Sequence, residues 1–348
     1  MKLDLFIETN NYDPTKRFSP TPQHYFNYIT SLFDKHALKQ ETMTIEQWNI
    51  LEEILENKNT IEKELAPLKE LFHFDLNIVG GSLRDVILNS TDKINDYDFT
   101  ISCSNFGLIK PLEDVAKDMG LNLNSLKDEL DNITKARIDF AQEQSEAIDF
   151  SLDNISKQYL ISTTKQNFYF SQIINKLMSN TKNYQYFSSQ NVKEEYMNAH
   201  ITSIHQFSGI NNKKVDLIVT EVTENSGISF LSTFDFEICK VYANLRNVKT
   251  KEQLLNKIVP LGSMLRDIED KTFSFNGIKF PQNNLEYFFN KHLLKLKEKY
   301  PDYSVNTFCS KKNDKLSNIE KERWIFSQYL ILNHDISSHN TLPKKLKI

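Results

Sequence analysis

Phe74-Asp75-Leu76-Asn77-Ile78-Val79-Gly80-Gly81-Ser82-Leu83-Arg84-Asp85-Val86-Ile87-Leu88-Asn89 is the stretch on which the fold turns. Its apolar run at 76–79 predicts a short strand ending in a glycine pair, and Leu83, Val86 and Ile87 recur at the spacing of a helix face. After a polar linker at 90–95, Asp96-Tyr97-Asp98-Phe99-Thr100-Ile101-Ser102 alternates with the period of a strand. That period puts Asp96 and Asp98 on one face and Tyr97 and Phe99 on the other.

Two carboxylates on one face repel unless something positive neutralises them, and hard oxygen donors so arranged suit Mg2+, which keeps waters and shares phosphate oxygens. Gly80 and Gly81 let backbone approach a phosphate, the helix that follows offers unpaired N–H groups, and Ser82 adds a hydroxyl. A glycine turn beside a surface acidic strand is the competing structural reading. Only eight glycines occur in 348 residues, and 80–81 is their one adjacent pair. Neither GxGxxG nor GxxxxGK[ST] can be assembled from them, which excludes the dinucleotide fingerprint and the P-loop.

Working outward, residues 1–73 read as a helical N-terminal region: Tyr25, Tyr28, Ile29, Leu32 and Phe33, then Ile45, Trp48, Leu51 and Ile54, fall at helical spacing, with Thr44 and Gln47 as a capping box. Residues 74–245 form the central domain, interrupted at about 121–197 by a polar insertion. Phe168-Tyr169-Phe170, Tyr184, Tyr186 and Phe187 in that insertion either stack bases or pack a core. Residues 200–222 predict two strands joined at 209–213. Residues 246–348 are basic and mostly helical, with a candidate hairpin in Thr-Phe-Ser-Phe-Asn-Gly-Ile-Lys-Phe at 272–280.

Composition bounds the class. Apolar residues at 39% supply a sizeable core, and no run of eighteen apolar residues exists to span a bilayer. The start, Met-Lys-Leu-Asp-Leu-Phe-Ile-Glu, has acids where a signal peptide needs an apolar run. Cys103, Cys239 and Cys309 are far apart and form no CxxC. A soluble chain in a reducing, cytoplasmic compartment, with no membrane partner, is the expectation. The net charge of −4 is uneven: from Val241 onward 19 Lys and Arg face 11 Asp and Glu, a basic end suited to a polyanion or simply to solvent. His200 and His205, like His334 and His339, are five apart, off the spacing that stacks two ligands on a helix.

Residues 78–100 resemble the polymerase β nucleotidyltransferase superfamily, whose signature is an apolar residue, Gly, Gly or Ser, a short gap and Asp-apolar-Asp. The wording of Ile78-Val79-Gly80-Gly81-Ser82-Leu83-Arg84-Asp85, Leu88-Asn89 and Asp96-Tyr97-Asp98-Phe99-Thr100 is closest to the head of the tRNA nucleotidyltransferase and bacterial poly(A) polymerase group. The resemblance implies an α+β head with a mixed sheet flanked by helices. It also implies transfer of a nucleoside monophosphate from an NTP, ATP foremost, to an acceptor hydroxyl, with an RNA 3′ end as first choice. Two Mg2+ ions would be held by Asp96, Asp98 and a third carboxylate. Asp216, in Val215-Asp216-Leu217-Ile218-Val219, is the best candidate for that third acid, with Asp139 and Asp149 as rivals. Gly80, Gly81 and Ser82 would meet the phosphates, Arg84 would pair locally or approach the triphosphate, and Asp85 would orient it.

Phe234-Asp235-Phe236-Glu237-Ile238 resembles the family's Arg-Arg-Asp-Phe-Thr-Ile-Asn segment, which assigns Asp235 to the nucleotide. Thr233 and Phe234 stand at the arginine pair and Cys239 at the asparagine, so Lys240 or Arg246 becomes the candidate phosphate contact. The interval from Asp98 to Asp216 is longer than in tRNA nucleotidyltransferases, and no Glu-Asp-x-x-Arg base-selecting segment is present: Glu269-Asp270 lacks the arginine. Transfer to a protein or small molecule, and an inactive RNA-binding module, are therefore the alternatives.

Overall fold

The computed structural model describes residues 31–32, 35–36, 38–71, 74–91, 94–103, 110–146, 154–188, 201–220, 231, 234, 236–260, 264–274 and 292–306. Strands β1 (Phe74–Val79), β2 (Asp96–Cys103), β3 (Gln185–Ser188), β4 (Ile201–Ser208), β5 (Lys214–Thr220), β6 (Val241–Asn244) and β7 (Ile258–Pro260) form one sheet in the order β3-β4-β5-β2-β1-β6-β7. β2 and β5 are parallel and the other neighbours antiparallel. The helices are α1 (Ile45–Glu64), α2 (Gly81–Ile87), α3 (Leu112–Asp118), α4 (Leu123–Glu146), α5 (Asn154–Met178), α6 (Lys251–Leu255), α7 (Met264–Asp270) and α8 (292–299). A short parallel pair, β8 (Thr272–Ser274) and β9 (Ser304–Asn306), lies apart from the sheet. The architecture is α+β, with a mixed sheet flanked by helices.

Strand alternation decides which face is covered. Leu76 and Ile78 of β1, Tyr97, Phe99 and Ile101 of β2, and Val215, Leu217 and Val219 of β5 all enter the main core. There they meet Leu51, Ile54 and Ile61 of α1, Leu83 and Val86 of α2, and Phe170, Ile173 and Ile174 of α5. Each such burial contributes roughly 1.5–3 kcal/mol against leaving the side chain in water. The intervening residues, Asp96, Asp98 and Asp216 among them, necessarily take the opposite face.

The capping box of α1 forms as the sequence predicts: Thr44 Oγ1 accepts from the Gln47 amide at 3.3 Å and Gln47 Oε1 from the Thr44 amide at 2.8 Å. Gln47 Nε2 also donates to the Val86 carbonyl at 2.6 Å, so the same side chain docks α1 on α2. α1 further clasps the β4–β5 turn. Asn57 Oδ1 accepts the Ile210 amide at 3.1 Å, and Glu53 accepts from Asn211 at 2.8 Å, from Lys213 at 2.7 Å and from the Tyr97 hydroxyl.

Gly209 makes that clasp sterically feasible, since a Cβ there would lie 2.3 Å from Asn57 Oδ1 and 2.5 Å from Val215 Cγ2. Gly209→Ala is expected to lower unfolding free energy by about 1–3 kcal/mol through overpacking. A urea midpoint equal to the parent's would show that the turn does not press on α1.

In two places the structure adds to the sequence pattern. The segment expected as an insertion supplies α5, whose Phe168-Tyr169-Phe170 run packs in the main core rather than facing a base. The helix is amphipathic, but its buried stripe is masked in sequence by Asn167, Ser171 and Gln172, polar residues that are themselves buried. Of the candidate hairpin at 272–280, residues 275–280 lie outside the described residues; residues 272–274 form β8, which pairs with β9 in parallel, a long-range partner that local periodicity cannot reveal. β7 also carries the sheet past residue 245. Among the described residues, no helix is long and apolar enough to cross a membrane.

Candidate active site

Register draws one straight row across the whole sheet: Gln185, Gln206, Asp216, Asp98, Val79, Tyr242 and Val259, one residue from each strand. Asp98 and Asp216 are direct partners on the parallel strands, and Asp96, on the same face, pairs with Lys214 in the next row. The three acids are thereby brought to one patch. Of the rivals, Asp139 lies on the exposed side of α4, and Asp149 lies outside the described residues.

The glycine turn follows Val79 of this row, at the end of β1. Gly80 has φ 76° and ψ −135°, a conformation that L side chains rarely adopt, and a Cβ on it would lie 3.4 Å from Phe234 Cζ and 3.8 Å from Asp98 Oδ2. Its amide donates to the Val241 carbonyl at 2.8 Å, fixing the turn to β6. α2 starts at Gly81 with no side-chain cap, so helix geometry leaves its first N–H groups without an intrahelical acceptor. The Ser82 hydroxyl is buried with no hydrogen-bond partner. Gly80→Ala is expected to cost about 1–3 kcal/mol, whereas at Gly81 a Cβ would meet Arg84 Nη2 at an ordinary 3.5 Å. Thermal melts of Gly80→Ala and Gly81→Ala showing equal destabilisation would contradict this.

Electrostatics concentrate on the central acid. Burial first, and then the Asp96 and Asp216 carboxylates, push Asp98 up to about 8, against the opposing pull of Lys214 and Arg84. Burial also raises Asp216, with Asp96 adding to it, while the Lys214 ammonium, 2.7 Å from Oδ2, and Gln206 pull it down. Asp216 Oδ1 is buried and has no hydrogen-bond partner. An unpaired buried carboxylate oxygen beside two further carboxylates fits a divalent cation in donor chemistry. Among the described residues no three such side chains are yet gathered at ligating spacing, in keeping with the turn of Asp216 toward Lys214 and the exposure of Asp96.

Other expected contacts are engaged within the protein. Arg84 bonds Asp85 at 2.6–2.7 Å and the Cys239 sulfur at 3.1 Å, and Asp85 also accepts from Lys299 at 2.7 Å and the Tyr300 hydroxyl at 2.5 Å. Lys240 is buried against Glu237. Arg246 is exposed, and Asp235 lies outside the described residues. His205 is a core residue, held by the Tyr184 hydroxyl at 2.7 Å and Ser203 at 2.9 Å, its pKa pushed down to about 3 by burial. Glu269 pairs with Lys35 and His36.

Gln206, Lys214 and Tyr242 belong to this patch and escaped sequence reading. Gln206 could have been found: a turn centred on residue 211 pairs 206 with 216.

Fold and patch together define an α+β domain carrying a three-aspartate patch beside a glycine turn. The chain matches no protein-family model and no curated protein sequence. Among solved structures it is similar to a tRNA-processing enzyme in an apo form, at 12% identity and a TM-score of 0.32 over 82% of this chain and 46% of that one. It is also similar to a Thermotoga maritima CCA-adding enzyme complexed with tRNA, at 10% identity and a TM-score of 0.32 over 80% and 42%. A CCA-adding enzyme in complex with ATP gives 9% identity and a TM-score of 0.33 over 86% and 46%. The chain spans less than half the length of each of these three.

Proposed function

We propose that the chain is a nucleotidyltransferase that moves a nucleoside monophosphate from an NTP, ATP first, to an acceptor hydroxyl, with an RNA 3′ end as the preferred acceptor. The observation that carries this reading is the register pairing of Asp98 with Asp216, which sets two carboxylates side by side with Asp96 on the same face, at the glycine turn. Asp96, Asp98 and Asp216 are the residues that would hold two Mg2+ ions, whose chemistry there is to neutralise the polyphosphate and the developing charge on the reacting oxygens.

In this reading the uncapped start of α2 and the Ser82 hydroxyl receive the terminal phosphates, and Gly80 keeps the approach open. The acceptor oxygen bonds to the α-phosphorus, the bond to the bridging oxygen breaks, and pyrophosphate leaves. The acceptor's proton passes to Asp216 Oδ1, the buried oxygen with no other partner. Holding the two substrates on adjacent strands supplies the orientation on which such a transfer depends. Lys214 moves off Asp216 when the site is filled. Arg84, Asp85 and Lys240 support the turn from behind rather than touching the nucleotide, because their charges are already paired.

The test is incubation with each labelled NTP, Mg2+ and total cell RNA or protein, beside Asp98→Asn and Asp216→Asn. Label in RNA that depends on both aspartates supports the reading. Label in protein moves the acceptor to the modifying-enzyme alternative, and label in neither sinks the enzymatic reading in favour of an RNA-binding module.

A further inference from the structure

Lys214 opens β5 on the same face as the three acids. Register sets it opposite Asp96, one row from the Asp98–Asp216 pair. Side chains two residues apart on a strand share a face, so the stem of Lys214 can run along β5 to Asp216. It does: the ammonium lies 2.7 Å from Asp216 Oδ2. Burial opposes its charge, yet the hydrogen bond to Asp216 and the fields of Asp216, Asp96 and Asp98 hold the lysine pKa above its ordinary value. Asp98 feels the same ammonium as a pull against its two acidic neighbours. One cation thus answers to all three carboxylates.

A divalent cation held by Asp96, Asp98 and Asp216 would need the ground that this ammonium occupies. Both are positive and both seek Asp216 Oδ2, and like charges a few ångströms apart oppose joint occupancy. The lysine is the one able to yield. Its side chain is 47% exposed on a flexible four-carbon stem, whereas that of Asp216 is 13% exposed and fixed in the sheet. Arg84 and Lys240 cannot serve an incoming polyphosphate in its stead, because each is buried and paired, with Asp85 and with Glu237. In the strand order β5-β2-β1, two strand spacings of about 4.8 Å separate the strand of Lys214 from the strand that ends in the glycine turn. A triphosphate at the turn and an extended lysine approach each other across that interval, with the acids between them.

We propose that Lys214 is an internal counter-ion that competes with the divalent cation for Asp216 and passes to the polyphosphate of the NTP as the metal enters, so that metal and nucleotide bind together and metal alone binds poorly. The inference rests on the nucleotidyltransferase reading above. The exchange strands no charge: the carboxylate trades one cation for another, and the ammonium trades a carboxylate oxygen for a phosphate oxygen.

Two titrations of the full chain test it in the parent, Lys214→Met and Lys214→Arg. Binding of Mn2+ alone is read from the electron paramagnetic resonance of the free ion, and binding of α,β-methylene-ATP at saturating Mg2+ by isothermal titration. Methionine keeps the apolar stem and removes the charge. Lys214→Met should bind Mn2+ at least about fivefold more tightly and the nucleotide analogue at least about fivefold more weakly. Lys214→Arg should return both toward the parent. Opposite signs are the signature, since a loss of folding weakens both. Equal or weaker Mn2+ binding by Lys214→Met, or nucleotide binding that does not fall, overturns the proposal. The Asp98→Asn/Asp216→Asn variant separates that failure from failure of the reading beneath it. Mn2+ binding that is lost in this variant but indifferent to Lys214 keeps the carboxylates as the metal site and removes only the exchange. Mn2+ binding that survives in this variant removes the metal site, and the exchange with it.

Discussion

Asp98→Asn is expected to abolish nucleotide transfer while making the metal-free protein more stable. The carboxyl sits between Asp96 and Asp216, and burial with those two neighbours pushes it up to about 8. An unfolded chain releases the same proton near pH 4. Between those values the folded state holds the extra proton, so unfolding free energy falls as pH rises across that window and levels off above it. Asparagine removes the titration. Metal-free Asp98→Asn should therefore match or trail the parent below about pH 4 and exceed it at pH 8 and above. A carboxyl displaced that far from its ordinary value would be worth about 6 kcal/mol at most, and solvent at the half-buried group reduces the gain to about 1–3 kcal/mol.

Mg2+ should reverse the order, because an ion bound only by the folded parent stabilises the parent alone. Transfer activity should fall by roughly three orders of magnitude or more, the scale seen when a central charged group of a catalytic set is removed. Thermal melts at pH 4, 7 and 9 with and without Mg2+, beside single-turnover assays, read both effects. A variant that loses stability at pH 9 in the absence of metal would show that Asp98 is stabilised by its neighbours rather than strained by them.

Much of this was legible because the signals are local. The strand, glycine turn and helix at 74–87 and the alternation of 96–102 depend on a few adjacent residues, and the structure reproduces them as β1, α2 and β2. Asp216 could be singled out because a charge inside Val-Asp-Leu-Ile-Val conflicts with burial unless it faces a site, and the register sets it beside Asp98. What stayed hidden depends on long-range partners. α5 reads as a polar insertion because Asn167, Ser171 and Gln172 interrupt its apolar stripe, and those side chains are buried only because β3, β4 and α4 pack on them. Arg84 reads from its motif as pairing locally or approaching the triphosphate, and it does pair with Asp85, yet the further partners of the two arrive from 155 and more residues away, at Cys239, Lys299 and Tyr300. No local period encodes such a meeting.

That distant junction gives the largest stability effect expected among the described residues. Asp85 is 1% exposed and Arg84 4% exposed, and the carboxylate is the shared acceptor of Arg84, Lys299 and the Tyr300 hydroxyl. Burial alone would lower the Arg84 pKa, but the Cys239 sulfur, Asp85 and Tyr300 more than restore it, so the guanidinium remains charged inside the protein. The Arg84 guanidinium also lies over the Tyr300 ring at 5.4 Å. Around this node Phe236, Ile238, Phe273, Leu296 and Tyr303 form a small second core joining α8 and β8 to the head.

Asp85→Ala removes the one carboxylate bonded to the buried guanidinium and should cost about 3–5 kcal/mol. Lys299, being partly exposed, can turn its ammonium back to water, so the penalty belongs mainly to Arg84. The double replacement Arg84→Met/Asp85→Leu removes both charges together and should recover most of that loss, because a buried ion pair is often close to neutral against an apolar pair of similar volume. Tyr300→Phe, which deletes one hydrogen bond to a charged acceptor, should cost about 1.5–3 kcal/mol. Urea midpoints for the three variants provide the measurement. If Asp85→Ala falls within about 1 kcal/mol of the parent, or if the double variant is no better than the single, the junction does not hold α8 to the turn. The nucleotide role suggested by the motif would then be the reason for an arginine and an aspartate at 84 and 85.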